Sequence, residues 1–151
     1  MTNLPSTLPD AGNELSLNQG DVEMPFLFHV NESMKVLHVE AIGEVNDKEV
    51  MDLSARLRQE PAFVSGCPVL CDCSALTSVS ISASLIELLA KAARSRTNFV
   101  AVVARLPVAF GLARMFQIFN DPEYERIHVF AGAEEAMAWL DTSVGGLKFH
   151  A

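Results

Sequence analysis

From Phe26 to Leu140 apolar residues recur first every second position and then every third or fourth, and the points where the period changes predict the elements. Phe26, Phe28 and Val30 alternate with Leu27 and His29, and Leu37, Val39 and Ala41 alternate with Val36, His38 and Glu40, the period of half-buried strands. Asn31-Glu-Ser-Met34 between them predicts a four-residue hairpin loop. The expected register sets Phe28 opposite Leu37, Phe26 opposite Val39, Val30 opposite Lys35 and Leu27 opposite His38. After Gly43 the period lengthens: Val50, Leu53 and Leu57 lie at helical spacing, with Asn46 as N-cap, Glu49 three residues on and Pro61 beyond the end.

Val69 to Cys73 is a short apolar strand. Ser82 then caps a helix whose expected buried stripe is Leu85, Ile86, Leu88, Leu89 and Ala92. Phe99 to Ala104 is a continuous apolar run of strand length, the mark of a strand covered on both faces. Pro107 opens a third helix with Val108, Leu112, Met115, Phe116 and Phe119 on one side, ended by Asn120-Asp-Pro122. Ile127 to Phe130 is a further strand, and a last helix follows Gly132, with Glu134 and Glu135 in its first turn and Met137 and Leu140 inward. The order ββαβαβαβα predicts one small α/β domain over residues 26–141, with a mixed, mostly parallel sheet of about five strands and about four helices. Residues 1–25 read as a flexible acidic leader and 142–151 as a C-terminal tail holding Gly145-Gly146.

In such sheets ligands collect outside the carboxyl ends of the parallel strands, where helix N-termini also point. Those ends are expected at Asp72-Cys73, Arg105 and Ala131-Gly132, which makes the segment Ser74 to Ser84, the Leu106-Pro107 turn and the start of the last helix a candidate functional rim. The segment Asp72 to Ser84 is rich in hydroxyls. Its plain reading is capping of free helix amides. Its sharper reading is a regulatory hydroxyl, because phosphate at a helix N-terminus is stabilised by amides and dipole while it adds about −1.5 to −2 of charge. Ser82 is placed best for that, with Ser80, Ser84 and Asp72 around it.

Asp72-Cys-Ser-Ala-Leu-Thr77, followed by Ser80-Ile-Ser-Ala83 and a Leu-rich helix, resembles the strand-loop-helix of STAS domains, the anti-sigma-factor antagonist fold. Phe110-Gly-Leu-Ala-Arg-Met-Phe116 and Val129-Phe-Ala-Gly-Ala-Glu-Glu-Ala-Met-Ala-Trp-Leu140 resemble the SpoIIAA-like group of bacterial proteins. The resemblance implies a non-catalytic regulatory or interaction domain. In the phosphorylated antagonists a partner kinase modifies a Ser at the helix start, and the second Ser of their Asp-Ser-Ser-Gly motif falls on Ser82. This chain departs from the motif at Ser80 and Ala83, which replace its Asp and Gly.

Composition narrows the choice further. The chain has 151 residues, half of them apolar, enough to bury a core without a disulfide or metal. No apolar run approaches the roughly 18 residues of a membrane span, and the start has neither a basic nor an apolar targeting region, so a cytoplasmic location is expected. Half of the −8 net charge comes from Asp10, Glu14, Asp21 and Glu23 in the leader. Leu88 to Asn120 holds Lys91, Arg94, Arg96, Arg105 and Arg114 and no acid. The first three of these bases suit helix C-terminal ends, whereas Arg105 and Arg114 are candidates for an anionic ligand or partner. Five bases without interleaved aromatics do not make a nucleic-acid footprint.

Cys67, Cys71 and Cys73 lie at even spacing on one strand face, too far apart along a strand for a disulfide and lacking the Cys-x-x-Cys knuckle of a zinc site. His29, His38, His128 and His150 are scattered, and no nucleophile, base and orienting acid stand together in sequence. No catalytic residue, metal or cofactor is expected. The leading expectation is a regulatory or scaffolding module with a protein partner, a homodimer being compatible with so apolar a chain. The alternative is a carrier or sensor holding an apolar or anionic small molecule between sheet and helices.

Overall fold

The computed structural model describes residues 25–94, 96–121 and 126–150, with the side chains of 144–150 left aside. The acidic leader, up to residue 24, lies outside the described residues. The elements are β1 (Phe26–Asn31), β2 (Val36–Asn46), α1 (Asp47–Arg58), α2 (Pro61–Val64), β3 (Val69–Ser80), α3 (Ala83–Ala93), β4 (Val100–Val103), α4 (Pro107–Asn120), β5 (Ile127–Phe130) and α5 (Ala133–His150). The five strands stand in the order of the chain, β1 antiparallel to β2 and the rest parallel. Successive right-handed crossovers that always step the same way must all pass over the same face of a sheet. That puts α1 to α4 on one side. Among the described residues only α5, which follows the last strand, is free to cover the other.

The two hydrophobic clusters match this division. On the side of α1 to α4 lie Phe26, Leu37, Val39, Ala41, Val45, Val69, Leu76 and Ala109. On the side of α5, Val36, Leu70, Ala101 and Val103 meet Ala136 and Leu140. Phe99, His128 and Phe130 pack around Trp139 there, with the Trp139 ring 4.6 Å from that of His128.

Local signals set most element ends. Asn46 and Glu49 form a capping box at α1, each side chain accepting from the other's backbone N–H (3.1 and 2.9 Å). Ser82 caps α3 by accepting from Leu85 N–H.

Five expectations need correction. The hairpin pairs Phe28 with Val39, Val30 with Leu37 and Phe26 with Ala41, two residues from the expected register, and its loop is 32–35. Both registers keep the same apolar face inward, so periodicity cannot choose between them. The turn decides: Asn31 Oδ1 accepts from Met34 N–H and Ser33 Oγ–H, and Lys35 takes a positive φ of 58° while donating to Asn31 O. Pro61 does not simply follow a helix but opens the short α2, capped by the Glu60 side chain. β3 does not stop at Cys73 but runs to Ser80, and α5 continues through the segment read as a tail, Gly145-Gly146 included.

Finally, Leu88 is 61% and Val108 50% exposed, although both were placed on buried stripes. Both helices are apolar nearly all round, so the tertiary neighbours choose the inward face. In α3 that face is Leu85, Ile86 and Ala90, and in α4 it is Ala109, Gln117 and Asn120.

Candidate functional site

β3 has a special course. Its pairing with β2 slips by one residue between Asp72 and Ala75 and again between Leu76 and Ser78, each slip a bulge on the β3 side. Each extra residue resets the alternation, so the side chains turned toward α1 to α4 are Val69, Cys71 and Cys73, then Leu76, then Val79. Gly43, at φ 80°, supplies the backbone freedom of β2 at the second slip. The bulges let β2 and β3 reach well past the carboxyl end of β4 and form a long curved floor.

Between that floor and helices α1, α3 and α4 lies a cavity of about 310 Å³. Native interiors hold few voids larger than a water molecule. This one opens at one end and is otherwise lined mainly by apolar groups: Val39, Ala41, Leu76 and Val102 from the sheet, Leu53 and Leu57 from α1, Ile86 and Leu89 from α3, Leu112, Ala113 and Phe116 from α4.

The Cys71 and Cys73 thiols share this floor, with their Sγ atoms 3.8 Å apart, and all three cysteines are free. The contact with Cys71, then burial, pushes the Cys73 thiol well above its usual range. Cys67 lies before β3, its Sγ–H donating to Lys35 O, and burial raises its thiol also.

At the amino ends of the strands the lining turns polar. Asn98 is buried and donates to Phe63 O and Cys67 O (3.0 and 2.7 Å). Arg96 lies over the Phe63 ring, Arg126 Nη1 donates to Arg96 O at 3.0 Å, and Arg58 reaches back to Ser54 Oγ. Asp121 anchors this edge by accepting from the backbone N–H groups of Arg126 and Ile127.

At the opposite end, two of the three expected rim positions come together. Arg105, Phe110, Gly132 and Glu135 border an open cleft between the ends of β4 and β5 and the starts of α4 and α5. Asp72 does not join them. It sits mid-strand at the first bulge, where its Oδ1 accepts from the N–H and Oγ–H of Ser74. Ser80 ends β3, and Ser82 and Ser84 are exposed at the start of α3. Asp47 Oδ1 accepts from Ser82 N–H at 2.8 Å, which ties the start of α3 to that of α1. Arg114 is exposed on α4.

Sequence reasoning misses the polar edge: Arg96 suits a helix end, and nothing in the local pattern of Arg58 or Arg126 marks them as lining the same cavity. On the α5 side of the sheet His38 faces His29, ring centroids 4.8 Å apart, with Nε2 buried and unpartnered among the described residues. Burial, and then the neighbouring His29, hold this imidazole below its usual range against the opposing pull of Asp72 and Glu40. Among the described residues no group of His, Cys, Asp and Glu side chains is arranged to hold a metal, and no helix is long and apolar enough to cross a membrane.

Neither a family model nor a curated protein matches the sequence. Among solved structures, the chain is similar to an uncharacterized protein of the DUF3478 family with a SpoIIAA-like fold from Shewanella loihica PV-4. The two share 17% identity and superpose with a TM-score of 0.51 over 76% of this chain and 91% of that one. The chain has a SpoIIAA-like fold. In this SpoIIAA-like domain, the motif Phe110 to Phe116 forms the middle of α4 and Val129 to Leu140 carries β5 into α5.

Proposed function

We propose that this SpoIIAA-like domain acts by binding, as a carrier or sensor of an apolar small molecule held between its sheet and helices α1, α3 and α4. The observation that carries this reading is the cavity of about 310 Å³, bounded almost wholly by aliphatic and aromatic side chains. An engineered apolar cavity of about 150 Å³ stays dry and admits benzene. Twice that space suits a ligand of about twelve carbons. Titration with the neutral fluorophore N-phenylnaphthylamine is expected to saturate at one site per chain, with a dissociation constant of about micromolar order. An absence of saturable binding overturns the reading.

A second reading, a regulatory module switched at a helix start, is favoured by the exposed Ser82 hydroxyl and its backbone link to Asp47. A phosphate at Ser82 faces the Asp47 carboxylate, and their repulsion loosens the joint between α1 and α3. On this reading, capture of a protein partner survives Ser82→Ala and is lost on Ser82→Asp. Equal capture by both variants excludes it.

A further inference from the structure

We propose that the ligand is an anionic amphiphile, a medium- to long-chain carboxylate, with its chain in the cavity and its headgroup at the amino edge of the sheet beside Arg96. The inference rests on the carrier reading and adds its chemistry. Three arginines far apart in sequence, Arg58 at the end of α1, Arg96 before β4 and Arg126 before β5, line the same cavity at one end. Elsewhere the lining is apolar, so the charge is concentrated where Leu57, Phe63 and Val100 give way to solvent.

None of the three guanidinium groups is paired with a carboxylate among the described residues, where the ion pair found is Lys48 with Asp52 on the exposed face of α1. Their contacts are neutral: Arg58 with the Ser54 hydroxyl, Arg96 with the Phe63 ring, Arg126 with Arg96 O and Asn120 Oδ1. Arg96 is the freest of them, because its guanidinium is held by the ring face alone and keeps its N–H edge for an acceptor. A planar guanidinium offers two parallel N–H groups to a carboxylate, a geometry that no alcohol reproduces.

Burial fixes the orientation of such a ligand. A carboxylate inside the cavity would lose its hydration with only the weakly donating Cys71 and Cys73 thiols in reach, whereas at the arginine edge it keeps both water and a counter-charge. The carboxyl ends of α1, α3 and α4 point toward the same edge, where the Asp121 carboxylate also lies, and all of these oppose an anion there. The helix fields are those of partial charges and the Asp121 carboxylate is held by two backbone N–H groups, whereas Arg96 and Arg126 bring full positive charges to the cavity lining. The chain is acidic as a whole, so the attraction is local, and it should weaken with salt.

Dodecanoate and dodecanol share one chain and differ only at the head. At about pH 8 the acid is ionised, and both are titrated against the full chain by displacement of N-phenylnaphthylamine. Dodecanoate is expected to bind at least about tenfold more tightly than dodecanol to the wild type. That advantage should shrink to within about twofold in Arg96→Gln, with dodecanol affinity unchanged, and persist in part in Arg96→Lys. Equal binding of acid and alcohol to the wild type, or an advantage that Arg96→Gln leaves intact, overturns the headgroup assignment while the carrier reading stands. Failure of the neutral probe and both amphiphiles to bind overturns the two together.

Discussion

Leu140→Ala is expected to lower the unfolding free energy by about 2–5 kcal/mol, a large share of the roughly 5–15 kcal/mol that holds a domain of this size. Leu140 is fully buried and inserts among Val36, Leu70, Ala101 and Val103, one residue from each of β2 and β3 and two from β4. It docks the only helix that covers this side of the sheet among the described residues. The small residues beside it, Ala101 and Ala136, cannot swing in to fill the gap, so the lost methyl groups leave a cavity instead of a collapsed surface. Urea denaturation is expected to show a lower midpoint with an unchanged slope. A midpoint within experimental error of the wild type would mean that α5 contributes little to the fold.

On the opposite side of the sheet, adding volume should be tolerated and should abolish binding. Ala113 points from α4 into the cavity, and Ala113→Phe puts a ring into the space that the proposed ligand uses. In a filled core such a change overpacks and costs about 1–3 kcal/mol. Here the ring enters free space, so stability is expected to hold or rise. Affinity for N-phenylnaphthylamine is expected to fall by at least about tenfold, which corresponds to about 1.4 kcal/mol of lost binding free energy. Thermal unfolding and probe titration on the same preparation separate the cases. A destabilised variant that still binds the probe would place the binding site elsewhere. A stable variant that no longer binds would assign it to the cavity.

The two substitutions exploit an asymmetry that follows from topology. α5 presses Leu140 and Ala136 onto strand centres, whereas α3 rests chiefly along α4, to which Arg94 binds it by donating twice to Phe119 O. A helix supported by another helix need not descend to the sheet. The space left beneath it is the cavity.

Much of this architecture was legible in the residues. Phe26 to Val30 and Leu37 to Ala41 alternate as strands must, Asn46 and Glu49 announce α1, Pro107 opens α4, and the motifs around Phe110 and Val129 pointed to the SpoIIAA-like fold that the comparison supports. The middle of the chain was not legible in the same way. Residues 74–80 show no alternation because two bulges interrupt it, and a bulge is defined by its partner strand, not by its own sequence. Reading Ser74 to Ser80 as a loop followed from the missing period. It also displaced the expected rim and set Asp72 beside Ser82, when eight further residues of strand separate Asp72 from the end of β3.

Sequence by itself determined what depends on neighbours within a few positions: the strands and the longer helices, their order, and the caps of α1 and α3; the strand order, and with it the face on which the single hand of crossovers puts α1 to α4, came from the tertiary structure. Tertiary structure decided the hairpin register, the inward faces of α3 and α4, the bulges of β3, and the presence of Arg58, Arg96 and Arg126 in the lining of one cavity. It also decided the cavity, for a physical reason. An unfilled volume is the difference between the space that packed elements enclose and the side chains that enter it, and no local pattern records a difference between distant parts of a chain.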